Sequence, residues 1–113
     1  MIDLEQLRSH VETSTGFPFA LYAWQQTPDV PAFGVVNVVA EQGSIWADNE
    51  QHVQALTGQI HLFTRRAGST DFNAVQQALK DEDISWRLSA TQYESDTHLL
   101  HYTWVWSDLG VLP

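Results

Sequence analysis

The chain has 113 residues and a formal net charge of −9, with five lysines and arginines against fourteen aspartates and glutamates. This length fits one domain with a single core. The acidic balance argues against stable binding to DNA or RNA, which needs a basic face. The absence of cysteine excludes disulfides and thiolate chemistry, and no apolar run reaches the roughly 20 residues that span a bilayer.

The first element is a predicted helix over residues 3–14. Asp3, with Gln6 three residues later, is typical of a helix start. Gly16 is well placed to end the helix in a left-handed conformation. Residues 1–5 are acidic and amphipathic and do not form a basic-then-apolar signal peptide. The expected compartment is therefore the cytosol.

Two strands and two loops follow the first helix. Residues 19–25 alternate in a way that predicts a strand, and residues 26–32 hold two prolines, which indicates an irregular loop. Residues 33–40 are rich in β-branched side chains and predict a second strand. Because this strand is apolar on both sides, we expect two covered faces, or one face covered by another subunit. Residues 41–51 are mostly polar and predict a loop that carries Trp46.

Residues 55–106 read as one unit of strand, turn, helix and hairpin. Gly58 inside the first strand indicates a bulge or a close backbone approach. Thr70 or Asp71 is the expected N-cap of a helix over residues 71–82. The hairpin strands are predicted at residues 85–92 and 98–106, and the tail, residues 107–113, is predicted to be short and loosely held.

These elements together predict an α+β fold in a single domain spanning residues 1–113. We expect a mostly antiparallel sheet of about five strands, packed against the N-terminal helix and the second helix.

The sequence offers no catalytic, metal-binding or cofactor-binding pattern. His98 and His101 fall on opposite faces of a strand. His61 approaches His101 if their strands pair, but two imidazoles without a third ligand make a weak zinc site. No serine stands in a Gly-x-Ser-x-Gly elbow. The predicted function is therefore not enzymatic, with no cofactor.

Short segments along the chain follow one another in a recognisable order and spacing. They are residues 14–20 (STGFPFA), 22–24 (YAW), 28–31, 33–36 (FGVV), 46–49 (WADN), 60–64 (IHLFT), 72–79 (FNAVQQAL), 93–96 and 100–104 (LHYTW). In this order the chain resembles the small tail-completion and tail-terminator proteins of long-tailed bacteriophages and prophages. The resemblance covers roughly residues 15–106, and the chain departs from the family in its high number of tryptophans.

The resemblance implies a structural role without catalysis. Such proteins are single α+β domains that form rings, here taken as six subunits, at the head-proximal end of the tail. There they stop growth of the tail tube and present a surface to the head–tail connector proteins. The implied locations are the bacterial host cytoplasm during assembly and then the virion tail. DNA passes through such a ring, and an acidic lining would not hold it.

Eight residues are predicted to make subunit or partner contacts. They are Trp24, Phe33, Val35, Trp46, Asp48, Asn49, Arg65 and Arg66. For Trp46 the alternative is packing into its own core. The alternative function is a small acidic inhibitor or adaptor that binds a basic host protein through charge.

Overall fold

Five strands and two helices make up the fold. The structure is a computed structural model that describes residues 3–47, 50–66, 68–82 and 84–110, with side chains described outside residues 40–55 and 109–110. In chain order the elements are α1 Leu4–Thr15, β1 Phe19–Leu21, β2 Ala32–Ala47, β3 Glu50–Thr64, α2 Thr70–Lys80, β4 Ser85–Glu94 and β5 Leu99–Gly110. The predicted α+β class is confirmed.

The first helix begins and ends where local sequence signals place its ends. The carboxylate of Asp3 accepts a hydrogen bond from the Gln6 backbone amide at 3.1 Å. Gly16 adopts φ 76°, and its amide donates to the carbonyl of Glu12. Both contacts satisfy backbone groups that a helix end leaves free. The second helix also forms as predicted, although its N-cap is Ser69 and neither Thr70 nor Asp71.

Asp71 is not the N-cap because its carboxylate contacts Thr64 and Arg66 at the end of β3. Its carboxylate is buried, accepts a 2.5 Å hydrogen bond from the Thr64 hydroxyl and pairs with the Arg66 guanidinium. The start of α2 is thereby tied to the end of β3.

The strands form one sheet in the order β1-β2-β3-β5-β4. β1 lies parallel to β2, and the other neighbouring pairs are antiparallel. β4 therefore runs in the same direction as β3, with α2 as the crossover between them. This arrangement gives the sheet two outer strands at opposite ends, β1 and β4.

Both helices pack against the same face of the sheet, where the core lies. On α1 the buried stripe is Leu4, Leu7 and Val11, and on α2 it includes Val75 and Leu79. The strands contribute alternate residues to the same cluster, because successive side chains point to opposite faces. These strand residues are Phe19, Ala32, Val36, Leu56, Ile60, Leu62, Trp104 and Trp106. Trp104 and Trp106 are therefore core residues.

Residues 41–51 were predicted as a loop, and that prediction is wrong. β2 continues to Ala47 and β3 begins at Glu50, and the two strands pair from Ala32↔Thr64 to Ala47↔Glu50. Backbone hydrogen bonds across the ladder hold this polar stretch, so it needs no apolar alternation. Three register irregularities interrupt the pairing, between Val38 and Ala40, Glu41 and Ser44, and Ile45 and Trp46.

The first strand and the tail also differ from the predictions. β1 ends at Leu21 because Tyr22 adopts φ 67°, which no β-strand accommodates, whereas residues 19–25 were predicted as strand. The tail was predicted to be loose from residue 107. Residues 107–110 instead continue β5 and pair with residues 54–57 of β3, because β3 is long enough to offer them a partner. Residues 111–113 lie outside the described part.

Candidate functional site

The sheet face opposite the helices carries a row of stacked rings. Trp24 meets Phe33 edge to face, with ring centroids 6.3 Å apart. Phe33 stacks on Phe63 at 5.2 Å, and Phe63 stacks on the His101 imidazole at 4.2 Å. The register places these residues side by side, because Phe33 pairs with Phe63 and Phe63 with His101. The row thus crosses β2, β3 and β5.

A loop over residues 22–31 folds back over one end of this row. The positive φ of Tyr22 turns the chain out of β1, and the Trp24 indole N–H donates to the Gly34 carbonyl at 2.9 Å. This hydrogen bond fixes the indole against the sheet. Phe33 and Val35 are consequently buried although no helix covers their face.

Arg65 holds the far side of the same loop. Its guanidinium donates to the carbonyls of Val30 at 3.3 Å and Pro28 at 3.4 Å. Between the loop, the ring row and the β4–β5 turn lies a groove of about 560 Å³, a size typical of ligand-binding clefts. Its lining residues are Tyr22, Ala23, Trp24, Thr27, Phe33, Val35, Phe63, Arg65, Glu94, Thr97 and Leu99. We call this surface the aromatic groove.

Beside the groove, two histidines are joined in a hydrogen-bond chain. Nδ1 of His61 lies 2.8 Å from Nε2 of His101, and Nδ1 of His101 lies 3.1 Å from the Glu94 carboxylate. The other His61 nitrogen faces the Gln59 amide oxygen at 2.9 Å, and the Thr103 hydroxyl is 3.3 Å from both facing nitrogens. Since one of the two facing nitrogens has to accept, a single proton lies between the rings. The approach of His61 to His101 is confirmed.

Burial lowers the pKa of both imidazoles. For His61, the neighbouring His101 lowers the pKa further, whereas for His101 the Glu94 carboxylate acts against the effect of burial. At neutral pH both imidazoles are therefore uncharged. Protonation of both imidazoles would set N–H against N–H across the 2.8 Å gap.

These shifts predict a pH dependence of stability with a defined sign. The unfolded chain binds protons near pH 6.5, above the lowered pKa values of the folded pair. Stability is thus full above pH 6.5 and falls as the pH drops below it, because the unfolded state then holds more protons.

Urea denaturation at several pH values between about 5.5 and 7.5 measures how the free energy of unfolding changes with pH. A His61→Gln, His101→Gln double variant should show a flatter slope than the wild type. His98→Asn is the control, because His98 is exposed in the β4–β5 turn at φ 57°, which asparagine tolerates. An equal slope in the wild type and the double variant would contradict the assignment.

The structure brings four of the eight predicted contact residues together. Trp24, Phe33, Val35 and Arg65 all line the aromatic groove. Arg66 is separate: it pairs with Asp71, and its guanidinium lies 5.6 Å from the centre of the Phe17 ring. The backbone of Trp46 lies in β2, but its side chain and both Asp48 and Asn49 lie outside the described residues.

Sequence reasoning missed other groove residues, notably Tyr22, Phe63, Glu94 and Leu99. For Phe63 a signal existed, because it alternates with the core residues Ile60 and Leu62 and so belongs to the opposite face. Leu99 and Glu94 reach the groove only through the β4–β5 register, which no local pattern gives.

Within the described ranges, no group of three or more histidine, cysteine, aspartate or glutamate side chains is placed to hold a metal ion. Neither described helix is long and apolar enough to cross a membrane. No protein-family model matches this chain, and no curated protein matches it.

The residues that line the aromatic groove offer aromatic and apolar contact, with the charged side chains of Arg65 and Glu94 at its edge.

Proposed function

We propose that this chain is a structural assembly protein of the tail of a long-tailed phage or prophage. It caps or completes the tail tube at the head-proximal end and joins it to the head connector as a closed ring of copies. The ring has six subunits by analogy with the proteins that the sequence resembles. The observation that carries the proposal is the aromatic groove on the helix-free face of the sheet.

An antiparallel sheet with one solvated face normally shows polar residues there. Here the groove on that face presents the exposed ring of Tyr22 and the half-buried rings of Trp24 and Phe63, and the buried Phe33 and Leu99 also line it. Aromatic side chains are enriched in the cores of protein interfaces, and apolar surface on a soluble domain marks interaction sites. The groove thus supports a role in protein contact.

The charge of the chain supports a place on the path of DNA. With a net charge of −9, a ring of these subunits repels the phosphate backbone, so DNA passes without being retained. Assembly takes place in the bacterial host cytoplasm, and the finished ring belongs to the virion tail.

A tube-capping assay tests the function. Tail tubes purified from particles that lack this protein are mixed with it, and electron microscopy counts capped head-proximal ends. We expect the wild type to cap, and Tyr22→Asn to cap with an affinity weaker by roughly 30-fold, the effect of losing one interface aromatic of about 2 kcal/mol. Tyr22 is 54% exposed and lines the groove, and asparagine tolerates its positive φ.

The matched control is Asn73→Ala on the exposed side of α2, which should cap like the wild type. Two results would reject the proposal: tubes that the wild type leaves uncapped, or tight capture of the wild type by a basic host protein that high salt abolishes. The second result would establish the acidic inhibitor instead.

A further inference from the structure

The two ends of the sheet each present an unpaired strand edge. β4 has ten residues, and in the described part of the chain only β5 lies beside it. At the other end, β1 pairs only with residues 34–36 of β2. Among the described residues no strand lies on the outer side of β2 from Asn37 to Ala47. Each edge therefore offers a row of backbone N–H and C=O groups for another strand.

Neither edge carries the usual protection against pairing. Natural edges are blunted by lysine, proline or short length, yet residues 85–94 contain only Arg87 and Glu94 as charges, and residues 37–47 contain only Glu41. Neither stretch contains proline or lysine.

Exposed apolar side chains mark the same two edges. Of the four large apolar side chains that are exposed among the described residues, Leu88 (41%) and Tyr93 (59%) lie on β4, and Val39 (58%) lies on the open part of β2. A second groove, of about 580 Å³, runs between β4 and the start of α2 and is lined by Phe72, Leu88 and Tyr102 among others. The β4 edge therefore also offers apolar surface to a neighbour.

We infer that a second copy of this chain covers the β4 edge, by pairing the outer edge of its own β2, from Asn37 onward, with β4. This inference rests on the proposed function and names the contact that closes the ring. The two edges differ from each other, so the contact is heterologous: each copy uses β4 on one side and β2 on the other, and such contacts close into rings.

The strand directions agree with this contact. β2 and β4 run in opposite directions within one copy, since each step from β2 through β3 and β5 to β4 is antiparallel. Rotation about a ring axis keeps the direction of each strand along that axis. β4 of one copy thus meets β2 of the next in the antiparallel sense, and the sheet continues from copy to copy with all helices on one side.

The irregularities in the strands suit a curved, closed sheet. Three register shifts interrupt β2, and one interrupts β4 between Leu88 and Ala90. Such bulges bend strands and increase their twist, and curvature of this kind lets a sheet close. The two edges are also staggered, because β4 lies beside residues 99–107 of β5 and the open part of β2 lies beside residues 50–59 of β3. Closed sheets have this stagger because their strands tilt.

Charge variants at each edge test the contact by native mass spectrometry over a concentration series. The first variant, Leu88→Lys with Tyr93→Lys, blocks β4, and the second, Val39→Lys, blocks β2. All three native side chains are exposed, so the fold tolerates lysine in their place. The control, Asn73→Lys with Gln77→Lys, adds two charges to exposed positions on α2. We expect closed rings from the wild type and the control, and a rise on the order of a hundredfold in the concentration that each edge variant needs to assemble.

A mixture of the two edge variants gives the decisive result. The β4-blocked variant keeps a working β2 edge, and the β2-blocked variant keeps a working β4 edge. Their mixture should form heterodimers and nothing larger at concentrations where neither variant assembles alone. Dimers of the Val39→Lys variant alone would show β4 pairing with β4 and overturn the inference.

Other outcomes separate the inference from the proposed function. Wild-type rings that persist in both edge variants would overturn the edge contact and leave ring assembly standing. A wild type that stays monomeric at every concentration would overturn the edge contact as a property of this chain, while the tube-capping assay would still decide the function.

Discussion

Replacing Gly58 by alanine lowers the free energy of unfolding by about 3 kcal/mol, the upper end of the usual cost of overpacking a core. A Cβ atom at this position would lie 2.1 Å from the Asn37 carbonyl oxygen and 2.3 Å from Cζ2 of the Trp106 indole. Neither neighbour can give way easily, because Asn37 lies opposite Gln59 in the β2–β3 ladder and Trp106 is 1% exposed.

The sign of this effect is not obvious, because alanine suits a strand better than glycine does. Glycine in a strand costs roughly 0.5–1 kcal/mol relative to alanine. At Gly58 the contact with backbone and a buried ring outweighs that gain. Urea denaturation gives the change directly, read from the midpoint at constant slope.

The same substitution in a Trp106→Phe chain separates the contact with the Asn37 carbonyl from the contact with the Trp106 ring. In a Trp106→Phe chain the outer ring of the indole is gone, so Gly58→Ala should cost less there than in the wild type. The difference between the two costs is the coupling energy of Gly58 and Trp106. Equal costs in both backgrounds would assign the whole effect to the Asn37 carbonyl, and an unchanged midpoint in the wild type would contradict the packing described here.

The features that the sequence predicted are those encoded by neighbouring residues. The first helix is specified by Asp3, Gly16 and an apolar stripe, all within one stretch. For Gly58 the sequence predicted a bulge or a close backbone approach, and the structure shows the close approach. The two-faced pattern of β5 was also local, and burial of Trp104 and Trp106 confirms it.

The features that the sequence missed depend on distant partners. Residues 41–51 carry too few apolar side chains to predict strands, yet backbone pairing with β3 extends β2 to Ala47. Residues 107–110 pair with β3 for the same reason. Four of the eleven groove residues, Trp24, Phe33, Val35 and Arg65, were among the predicted contacts, whereas Glu94 and Leu99 join the groove only through strand register. Arg66 lies apart from the groove, because its partner, Asp71, stands at the start of α2.

Replacing Trp104 by alanine has the largest expected effect on stability, a loss of about 3–5 kcal/mol. Its side chain is fully buried, and its ring centroid lies 5.4 Å from that of Phe72 on α2. The indole N–H donates to the Gln76 side-chain oxygen at 3.2 Å. Since small domains are stable by roughly 5–15 kcal/mol in total, this loss brings the chain close to unfolding, and thermal denaturation measures it.

Trp24→Ala is the matched comparison, because it removes the same side chain from the aromatic groove. Trp24 is half-buried and makes one hydrogen bond, to Gly34, so the loss of stability should be about 1–2 kcal/mol. Tube capping should instead fall sharply, since interface tryptophans are frequent hot spots. The two variants therefore distinguish a tryptophan that stabilises the fold, Trp104, from one that contacts a partner, Trp24. If Trp24→Ala capped tubes normally while unfolding as easily as Trp104→Ala, Trp24 would be a core residue and the groove would lose its assigned role.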